Sequence, residues 1–540
     1  MKKTMIHISS IILAGIMAAV TPSCMADQPS FAVDYEKPDD SGETDPQEEL
    51  RTGFVSYYID SVNGSDINDG TSRDKAWKSL SKAKSLNLLP GDQVLLKRGC
   101  TFNETLQVSN ALGTASQPVT IAAFGSGDKP KIVAPDGSQY AVQIKNCSYI
   151  TIENLDVSNH GSDPEMWDRV GFNVHLDNYG IAHNTVIRGI DIHDVNGRLW
   201  KGEGAGVALR FTMTKTRINY WDGITVEGCT IRDCSRNGIG FQGNHGRDAW
   251  YPHKRVVIRE NLIERVPGDG IVVGECDGAL VEYNVVRDCT DPWGDNHNAS
   301  AGIWPWSSDN TVIQFNESSG QTTTWDAQGY DADYNCQNTT IRYNYSHDNK
   351  GGFILICNDG NAMNSYSIGN KGTRVYGNVS YNDGTRTEKR AKDKIWFSPS
   401  IHVSGPVEDC LVYHNILYVC KRTVKDQDKR FYYGNSWYGE PKSVSLENNV
   451  FYSENTDSAF ERSGKGGDVL NNNWYMGINS ASLISAGDQN ARGTNAAFQK
   501  ILDGASSPKQ AITDAFLITK KTATATITTV DKTKIDFFFN

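Results

Sequence analysis

One phrase recurs along most of the chain and limits what the chain can fold into. It consists of a short β-branched strand, an Asn, a second short strand, a polar turn, and a third strand led by Gly. Successive Asn positions are 23 to 37 residues apart. They are Asn261, Asn284, Asn316, Asn344, Asn378, Asn415 and Asn449, with Asn154 and Cys229 as weaker members of the series.

This period predicts a right-handed parallel β-helix, in which each coil adds three strands that pair with their equivalents one coil further on. Asn side chains stacked at an internal bend can hydrogen-bond along the ladder, which explains an Asn at one fixed place. A β-sandwich would not repeat one Asn in this way, and a propeller would show a longer period with blade signatures. We therefore expect an all-β solenoid over residues 56–520, followed by a C-terminal strand or tail over 521–540.

Length and charge limit the function classes. A chain of 540 residues is long for one compact domain but normal for a solenoid, which grows by adding coils. The net charge of -11 argues against nucleic acid, because binding to phosphates needs a basic face. An acidic glycan needs only a local basic patch, so the charge leaves that partner open. We expect a monomer with a saccharide partner.

The N-terminus has the pattern of an export signal. Two lysines follow the first Met, and residues 11–20 form an apolar run too short to span a bilayer. The signal peptide would end at Cys24, which would carry a lipid, or cleavage would fall after Ala26. An acidic, flexible linker is expected over residues 25–55. We expect an exported protein, either lipid-anchored at the outer membrane or cell surface, or periplasmic or secreted, with membrane contact only through that anchor.

The eleven cysteines show no CxxC pair and no Cys/His metal spacing. Several lie in repeat strands or their turns, including Cys229, Cys234, Cys276 and Cys289. We interpret them first as small core residues and second as disulfide partners, since export would permit bridges. No metal site is expected from Cys and His.

Two segments resemble known proteins. The region 57–135 resembles the opening of many secreted bacterial β-helix proteins of the pectate-lyase-like superfold, in which residues 79–85 would form the helix that caps the N-terminal end. The segment 325–353 resembles a stretch common in β-helix proteins of bacterial polysaccharide-degrading systems, which implies a carbohydrate-active role without settling the bond cleaved. The matching pieces of the first segment are Asn63–Asp66, Asn68–Thr71, Ala76–Trp77 and Leu89–Asp92.

Five of the Gly-led strands can be aligned by their glycines, from Gly238, Gly270, Gly302, Gly329 and Gly352. The first and third positions after Gly are apolar and should point inward, so the second and fourth should point outward. The outward pairs are then Gly240 and Gln242, Val272 and Gly274, Trp304 and Trp306, Asp331 and Asp333, and Ile354 and Ile356.

This alternation predicts two Trp beside two Asp on one outer face. Exposed indoles stack on sugar rings, so Trp304 and Trp306 are candidate substrate contacts. Asp331 and Asp333 should have Cα atoms roughly 6.5–7 Å apart, near the ~6.5–9.5 Å carboxyl separation of inverting glycosidases and above the ~5–5.5 Å of retaining ones. One would be the acid and the other the base. Plain solvated carboxylates, or a Ca²⁺ site, are the alternatives.

Other candidates surround this face. Asp326 precedes the acid-bearing strand and is a further candidate catalytic group, and Gln328 is a candidate substrate contact. His347 and Asp348 look like a catalytic dyad, but His193 shares the place of the histidine. The place of Asp348 recurs in other coils, which favours a turn former. Lys350 is a candidate lyase base or anion contact, or a solvated turn lysine. The other residues at the place of Asp348 are Asp194, Asp233 and Asp288.

Insertions on one flank of a solenoid often build its cleft. The segment 290–300 brings Trp293 and His297, two candidate substrate contacts, and the segment 244–255 brings further aromatic and basic residues. The stretch 386–396 is basic and fits an acidic glycan or a solvated loop equally well. The residues of the segment 244–255 that we single out are Arg247, Trp250 and His253.

Three functions are compatible with these features. The first is a glycoside hydrolase that cleaves a polysaccharide or oligosaccharide with paired acids and needs no cofactor. The second is a polysaccharide lyase or epimerase on a uronate-containing glycan, with a Lys, Arg or His base and often Ca²⁺. The third is a non-catalytic glycan-binding protein. We favour the hydrolase.

Overall fold

The computed structural model describes residues 52–198, 207–214, 218–242, 246–247, 250–289, 300–363, 367–390, 394–462 and 467–540. The expected signal peptide, Cys24 and nearly all of the acidic linker lie outside these residues. Among the described residues, none of the helices has the length and apolarity that crossing a bilayer requires.

The described chain winds into coils whose strands form three parallel sheets, and each strand pairs with its equivalent one coil further on. This confirms the predicted parallel β-helix. The first sheet, which precedes the Asn bend, contains Ser56–Ile59, Gln93–Lys97, Val119–Phe124, Ile150–Glu153, Ile181–Arg188, Tyr220–Glu227, His253–Arg259, Cys276–Asp277, Leu280–Glu282, Val312–Gln314, Cys336–Gln337, Thr340–Arg342, Asn370–Lys371, Arg374–Tyr376, Glu408–Tyr413, Lys442–Glu447 and Asp468–Asn471.

The other two sheets complete each coil. The second sheet, after the Asn bend, contains Thr101–Phe102, Lys131–Val133, Asp156–Asn159, Asp191–Val195, Thr230–Cys234, Leu262–Glu264, Val285–Arg287, Glu317–Ser319, Tyr345–His347, Val379–Tyr381, Ile416–Val419, Val450–Ser453 and Trp474–Met476. The third sheet contains Leu106–Ser109, Tyr140–Lys145, Val170–Leu176, Val207–Met213, Asn237–Gln242, Ile271–Gly274, Ile303–Trp306, Gln328–Ala332, Gly352–Cys357, Ile401–Ser404, Tyr432–Asn435 and Phe460–Arg462.

The N-terminal end of the solenoid is covered as expected. A 3-10 helix spans Leu80–Ser85 and buries Leu80 and Ala83 in the same apolar core as the first strands. A shorter 3-10 helix spans Arg73–Lys75. Covering the open end keeps the first strands of the sheets from pairing with another chain.

A buried ladder of Asn side chains runs along the bend between the first and second sheets. Each Asn Nδ2 donates to Oδ1 of the next Asn at 2.9–3.0 Å, and each backbone N–H donates to the same oxygen. The ladder includes all seven predicted Asn and adds Asn473, whose Nδ2 donates to the Asp488 carboxylate at 2.8 Å. The repeated Asn therefore satisfies buried backbone groups that the bend would leave unpaired.

The residue before each ladder position has a left-handed backbone, and this corrects one prediction. Asn154 has φ 60° and occupies this turn position, while Leu155 takes the internal place of the ladder. Asn tolerates positive φ, so the same residue type serves two different positions of the bend. The Asp residues that recur in the next turn also have positive φ, as expected for turn formers: Asp194, Asp233, Asp288 and Asp348.

The solenoid ends earlier than predicted, because the last strand of the three sheets is Trp474–Met476 and not one near residue 520. The remaining chain forms the helices Ser480–Ala486, Ala496–Asp503, Pro508–Phe516 and Lys532–Phe539, with an antiparallel hairpin of Leu517–Lys521 and Thr526–Val530. This C-terminal segment packs back on the outside of the second sheet. Its apolar residues bury Tyr345, Val379, Ile416, Tyr418 and Val450.

The ten described cysteines are all free, and nine of them are buried. Seven of them belong to the apolar core that fills the solenoid, including Cys229, Cys234, Cys276 and Cys289. This confirms the interpretation of the repeat cysteines as small core residues, and the alternative that they form disulfides is wrong for the described cysteines.

Candidate active site

The register of the third sheet decides which side chains share its outer face. Ile303 pairs with Tyr330, Tyr330 with Ile354, Ile354 with Ile401 and Ile401 with Tyr432, and all five are buried. The residues one place further along each strand therefore form an outer row. That row reads Trp304, Asp331, Leu355, His402 and Tyr433, and the next outer row reads Trp306, Asp333, Cys357, Ser404 and Asn435.

One strand is shifted relative to the prediction. Gly352 pairs with Gln328, so it does not align with Gly329, and the strand is displaced by one residue. Ile354 and Ile356 consequently point into the core, and Leu355 and Cys357 point outward. Four apolar residues follow Gly352, so alternation alone cannot distinguish the two registers.

The outer rows border a cavity of about 540 Å³, within the ~300–1,000 Å³ range of small-molecule sites. The predicted residues Trp304, Asp326, Asp331 and Asp333 all line it. Arg390 and Ile395, from the predicted basic stretch 386–396, also line it. Residues that the sequence did not single out complete the wall: Asp269, Ser300, Ala301, Trp325, Tyr334, Leu355, Cys357, Phe397, His402, Ser404, Tyr433, Asn435, Ser436 and Trp437.

Two of the acids lie close together at the base of this cavity. A carboxylate oxygen of Asp331, one of Asp333 and Sγ of Cys357 all lie within 4.8 Å of one another. Asp331 is only 6% exposed. The carboxyl groups therefore approach more closely than the inverting separation expected from strand geometry, and their spacing is nearer to that of retaining enzymes.

Asp333 is oriented by two donors. The backbone N–H of Tyr334 donates to Asp333 Oδ1 at 2.8 Å, and Sγ of Cys357 donates to the same oxygen at 3.0 Å. Burial raises the pKa of the Cys357 thiol well above its usual value, so the thiol keeps its proton and acts as the donor. Donors aimed at one oxygen stabilise the charged form of a carboxyl group and fix its direction.

Asp326 lies on a segment that is clamped from behind. The buried guanidinium of Arg386 donates to the backbone carbonyls of Thr324 at 2.7 Å and of Trp325 and Asp326 at 3.2 Å. Gly351 passes so close that a Cβ there would lie 1.7 Å from the Asp326 carbonyl oxygen. These contacts hold Trp325 and Asp326 against the cavity.

The two tryptophans differ from the expected exposed platform. Trp304 is 6% exposed, and its indole N–H donates to Asp269 Oδ1 at 3.0 Å. Asp269 is in turn paired with the buried Arg236 at 3.4 Å. Trp306 packs on the Trp304 cluster and meets Tyr334 edge to face, but it does not line the cavity. Trp304 is thus a fixed wall of the cavity.

Several predicted residues lie elsewhere. His347 and Asp348 are on the second sheet under the C-terminal segment, because a coil turns its second and third strands toward different sides. Gln328 is fully buried on the inward side of its strand, and Lys350 lies in the turn between the two sheets, away from the cavity lining. None of these four contributes to the site, while Trp293 and His297 lie outside the described residues.

The segments on the flank also have other roles. Arg247 donates to Asp309 and Asn335 and lies over the Trp250 ring, so these two residues fasten their loop to the turns below. His253 packs in the core against Trp221 and Phe241. From the basic stretch 386–396, Arg390 and Ile395 line the cavity.

Four of the residues missed on the sequence come from two coils that lack the leading Gly. Ser400 and Phe431 stand where Gly302 and Gly329 stand in their coils, so an alignment based on Gly ends before them. Continuing the alternation through residues 401–404 and 432–435 would have found their outward side chains. These are His402, Ser404, Tyr433 and Asn435.

The same acids are the only group of possible metal ligands found among the described residues. Asp331, Asp333 and Cys357 offer two carboxylates and a thiol. Ca²⁺ prefers six to eight oxygen ligands, so this set fits it poorly. The cavity remains acidic, since four Asp residues line it, of which Asp269 is paired with Arg236, and Arg390 is the one Arg or Lys among its described lining residues.

The fold and the site together define a right-handed parallel β-helix protein with acids and aromatic residues around a cavity on one sheet. A family model described as "Right handed beta helix region" matches residues 216–386. A lacto-N-biosidase of Bifidobacterium longum subsp. longum is 28% identical, over 81% of this chain and 32% of that protein. The chain thus spans about a third of the length of this curated relative.

A solved structure is similar over much of the chain. The crystal structure of GH136 lacto-N-biosidase from Eubacterium ramulus superposes with a TM-score of 0.58 and 25% identity. The match covers 79% of this chain and 68% of that chain. It extends the similarity well beyond the segment matched by the family model.

Proposed function

We propose that this protein is a glycoside hydrolase that cleaves an oligosaccharide in the cavity of the third sheet. The observation that carries the proposal is the pair Asp331 and Asp333, whose carboxylate oxygens lie within 4.8 Å beside aromatic walls. Hydrolysis of a glycosidic bond needs two carboxyl groups, one to donate a proton and one to act as nucleophile or base. The similarity to two lacto-N-biosidases supports the same class.

The contacts around Asp331 and Asp333 favour different catalytic roles for the two acids. The two donors on Oδ1 of Asp333 favour its charged form, which suits the nucleophile that attacks the anomeric carbon. Asp331 is more buried and faces the Asp333 carboxylate, and two such close carboxyl groups resist ionising together. It would protonate the leaving oxygen, with Asp326 as the other acid at the cavity. The close spacing favours retention of anomeric configuration.

The lyase alternative is disfavoured by charge. A lyase needs a base and a cation to neutralise the uronate carboxylate. Among the described lining residues the only Arg or Lys is Arg390, against four Asp. Burial holds the pKa of His402 at about 3, so that residue is neutral. A neutral glycan is the better match for this cavity, and the names of the relatives point to a lacto-N-bioside as the first substrate to try.

The test is turnover of 4-nitrophenyl lacto-N-bioside by the wild-type protein and by Asp326→Asn, Asp331→Asn and Asp333→Asn. We expect Asp331→Asn and Asp333→Asn to lower kcat by at least about 100-fold while the proteins stay folded. Asp348→Asn is the matched control, because Asp348 lies on the second sheet, and it should keep wild-type activity. The Asp326 variant shows whether that acid also takes part.

Product analysis separates the three functions. A hydrolase forms new reducing ends without ultraviolet absorbance, and excess EDTA leaves its rate unchanged. A product that absorbs in the ultraviolet through a new C=C bond would show a lyase instead. Sugar binding without turnover of any glycan offered would show a binding protein. Proton NMR of the first anomer released reports retention or inversion.

A further inference from the structure

His402 lines the cavity, but it has no part in the hydrolysis proposed for Asp331 and Asp333. It lies on strand Ile401–Ser404 in the outer row that includes Asp331, lines the cavity and is buried. Its ring meets Phe397 edge to face, with 4.4 Å between ring centroids, and lies 5.1 Å from Tyr433. The imidazole is therefore held in one orientation at the cavity wall.

The hydrogen bonds of His402 assign its tautomer. Its Nε2 lies 2.6 Å from Oδ1 of Asn435, and Nδ2 of Asn435 donates to the Ser436 carbonyl at 3.1 Å, which fixes the direction of that amide. Nε2 must therefore carry the proton. The ring is neutral, since burial lowers the pKa of His402 to about 3. Nδ1 is left with a lone pair and can only accept.

Among the described residues, no hydrogen-bond partner reaches this Nδ1. A buried acceptor without a donor costs free energy, so such an atom in the wall of a cavity is a candidate contact for a ligand. The nitrogen is closed to water in this structure, so a donor from a bound ligand reaches it only when a neighbouring side chain of the cavity wall moves aside.

The sheet register sets how far His402 is from the acids. Asp331 pairs with Leu355, and Leu355 pairs with His402, so two strand spacings separate them. This places the two Cα atoms about 10 Å apart. A pyranose held at the acids does not extend that far, so the neighbouring sugar unit is the one within reach of His402.

We infer that His402 is a specificity residue whose Nδ1 accepts a hydrogen bond from a hydroxyl or acetamido N–H of the sugar unit next to the one at the acids. The inference rests on the proposed function, because it assumes that the cavity holds a glycan. It concerns the unit that does not react. Its contact is made before and during the reaction alike, so it acts on affinity more than on kcat.

Two substitutions of His402 test its two hydrogen-bonding groups one at a time: the acceptor at Nδ1 and the donor that binds Asn435. In His402→Asn, Oδ1 can take the place of Nδ1 and keep the acceptor, while the bond to Asn435 is lost. In His402→Gln, Nε2 of the amide can keep the bond to Asn435, while no acceptor remains at the Nδ1 position. Both remove the imidazole, so the loss of ring packing is common to the two variants.

The measurement is the Kd for lacto-N-biose by calorimetry, with each variant made on an Asp333→Asn background so that turnover does not interfere. We expect His402→Gln to weaken binding by about 10-fold or more, and His402→Asn to stay within about 3-fold of the background protein. With a series of monodeoxy and de-N-acetylated analogues, the loss in His402→Gln should disappear for the one analogue that lacks the donor.

Equal losses in the two variants, or no loss in either, would overturn the inference, as would a His402→Gln deficit that persists in every analogue. Because binding is measured without catalysis, these outcomes are independent of the hydrolase proposal. Binding by the wild-type protein with no turnover would refute the hydrolase and leave the His402 contact to be judged from the same Kd values.

Discussion

Arg386 lies behind the cavity wall and shapes the site from there. Its buried side chain donates to the carbonyls of the segment that carries Trp325 and Asp326 and also to Ser398 at 3.2 Å. A guanidinium has five donors in a fixed plane, whereas an ammonium is a single point of charge. Lysine therefore cannot reproduce this clamp, although it keeps the charge.

We expect Arg386→Lys to lower kcat on 4-nitrophenyl lacto-N-bioside about 10-fold or more, because a small displacement of the cavity wall that carries Trp325 and Asp326 misplaces the substrate. Arg422→Lys is the matched control. That side chain is partly buried and donates to the Asp383 carbonyl, and its hydrogen bonds within the described residues go to Asn382, Asp383 and Asp428, away from the segment 323–326. Similar losses of Tm with activity retained in both variants would show that Arg386 is only structural.

The alternation of polar and apolar residues predicted the face of the strand correctly for some side chains and wrongly for others. Asp331, Asp333 and Trp304 were placed on the outer face because polar and apolar residues alternate on their strands, and the structure confirms that placement. Ile354 and Ile356 were placed wrongly, because both registers of that strand present apolar residues to both faces. A pattern can fix a register only where the two faces differ in polarity.

At the scale of secondary-structure elements, a cluster of charged residues on the second sheet, His347, Asp348 and Glu317, attaches the C-terminal segment. His347 lies between Asp348 at 2.9 Å and Glu317 at 3.3 Å, and the other oxygen of Glu317 accepts from the Thr528 backbone at 2.9 Å. Lys509 pairs with Asp348 at 3.5 Å. His347 and Asp348, which the sequence suggested as a catalytic dyad, therefore help to hold the C-terminal hairpin and the helix Pro508–Phe516 in place.

This cluster predicts a loss of stability at alkaline pH. Burial would lower the pKa of His347, but its hydrogen bonds to Asp348 and Glu317 outweigh burial and raise it to about 9. The folded state therefore binds the proton more tightly, so the stabilisation is complete below about pH 6.5 and is lost as pH rises through 9. The loss amounts to at most about 3 kcal/mol.

Hydrogen exchange of the strand Thr526–Val530 between pH 7 and 10, corrected for the intrinsic rate, measures this effect. Protection should fall in the wild-type protein and change little in His347→Gln. Burial raises the pKa values of Tyr345 and Tyr381, so these neighbours do not titrate in the window. A fall of the same size in His347→Gln would contradict the assignment.

For the whole molecule, stability comes from stacked coils without covalent cross-links in the described part. The ten described cysteines are free, and burial raises the pKa of most of their thiols, for example to about 12 in Cys229 and Cys289. Reaction with a disulfide reagent requires an exposed thiolate. In the described chain only Cys420 is not classed as buried.

We expect a reducing agent to leave Tm unchanged, because no bridge in the described residues is available to break. Thiol titration of the native protein should show at most slow reaction at Cys420 among the described cysteines, because burial raises the pKa of its thiol, and at least ten thiols should react after unfolding. Fewer than ten, or a lower Tm with the reductant, would reveal a disulfide.

The repeated Asn and the period-two alternation allowed the sequence to predict the coils of the β-helix, because both arise from contacts between residues in equivalent places of neighbouring coils. The same local rules placed the acids and Trp304 on one face. An alignment that starts from the leading Gly stops before the coils of His402 and Asn435, although the same alternation continues through both strands.

Other parts of the site were settled only by the folded chain. The closeness of Asp331, Asp333 and Cys357, the clamp from Arg386, and the position of His347 on another sheet depend on side-chain directions and on loops joining coils that are distant in sequence. Such contacts follow from how the coils turn and stack, and a local pattern contains no information about that geometry.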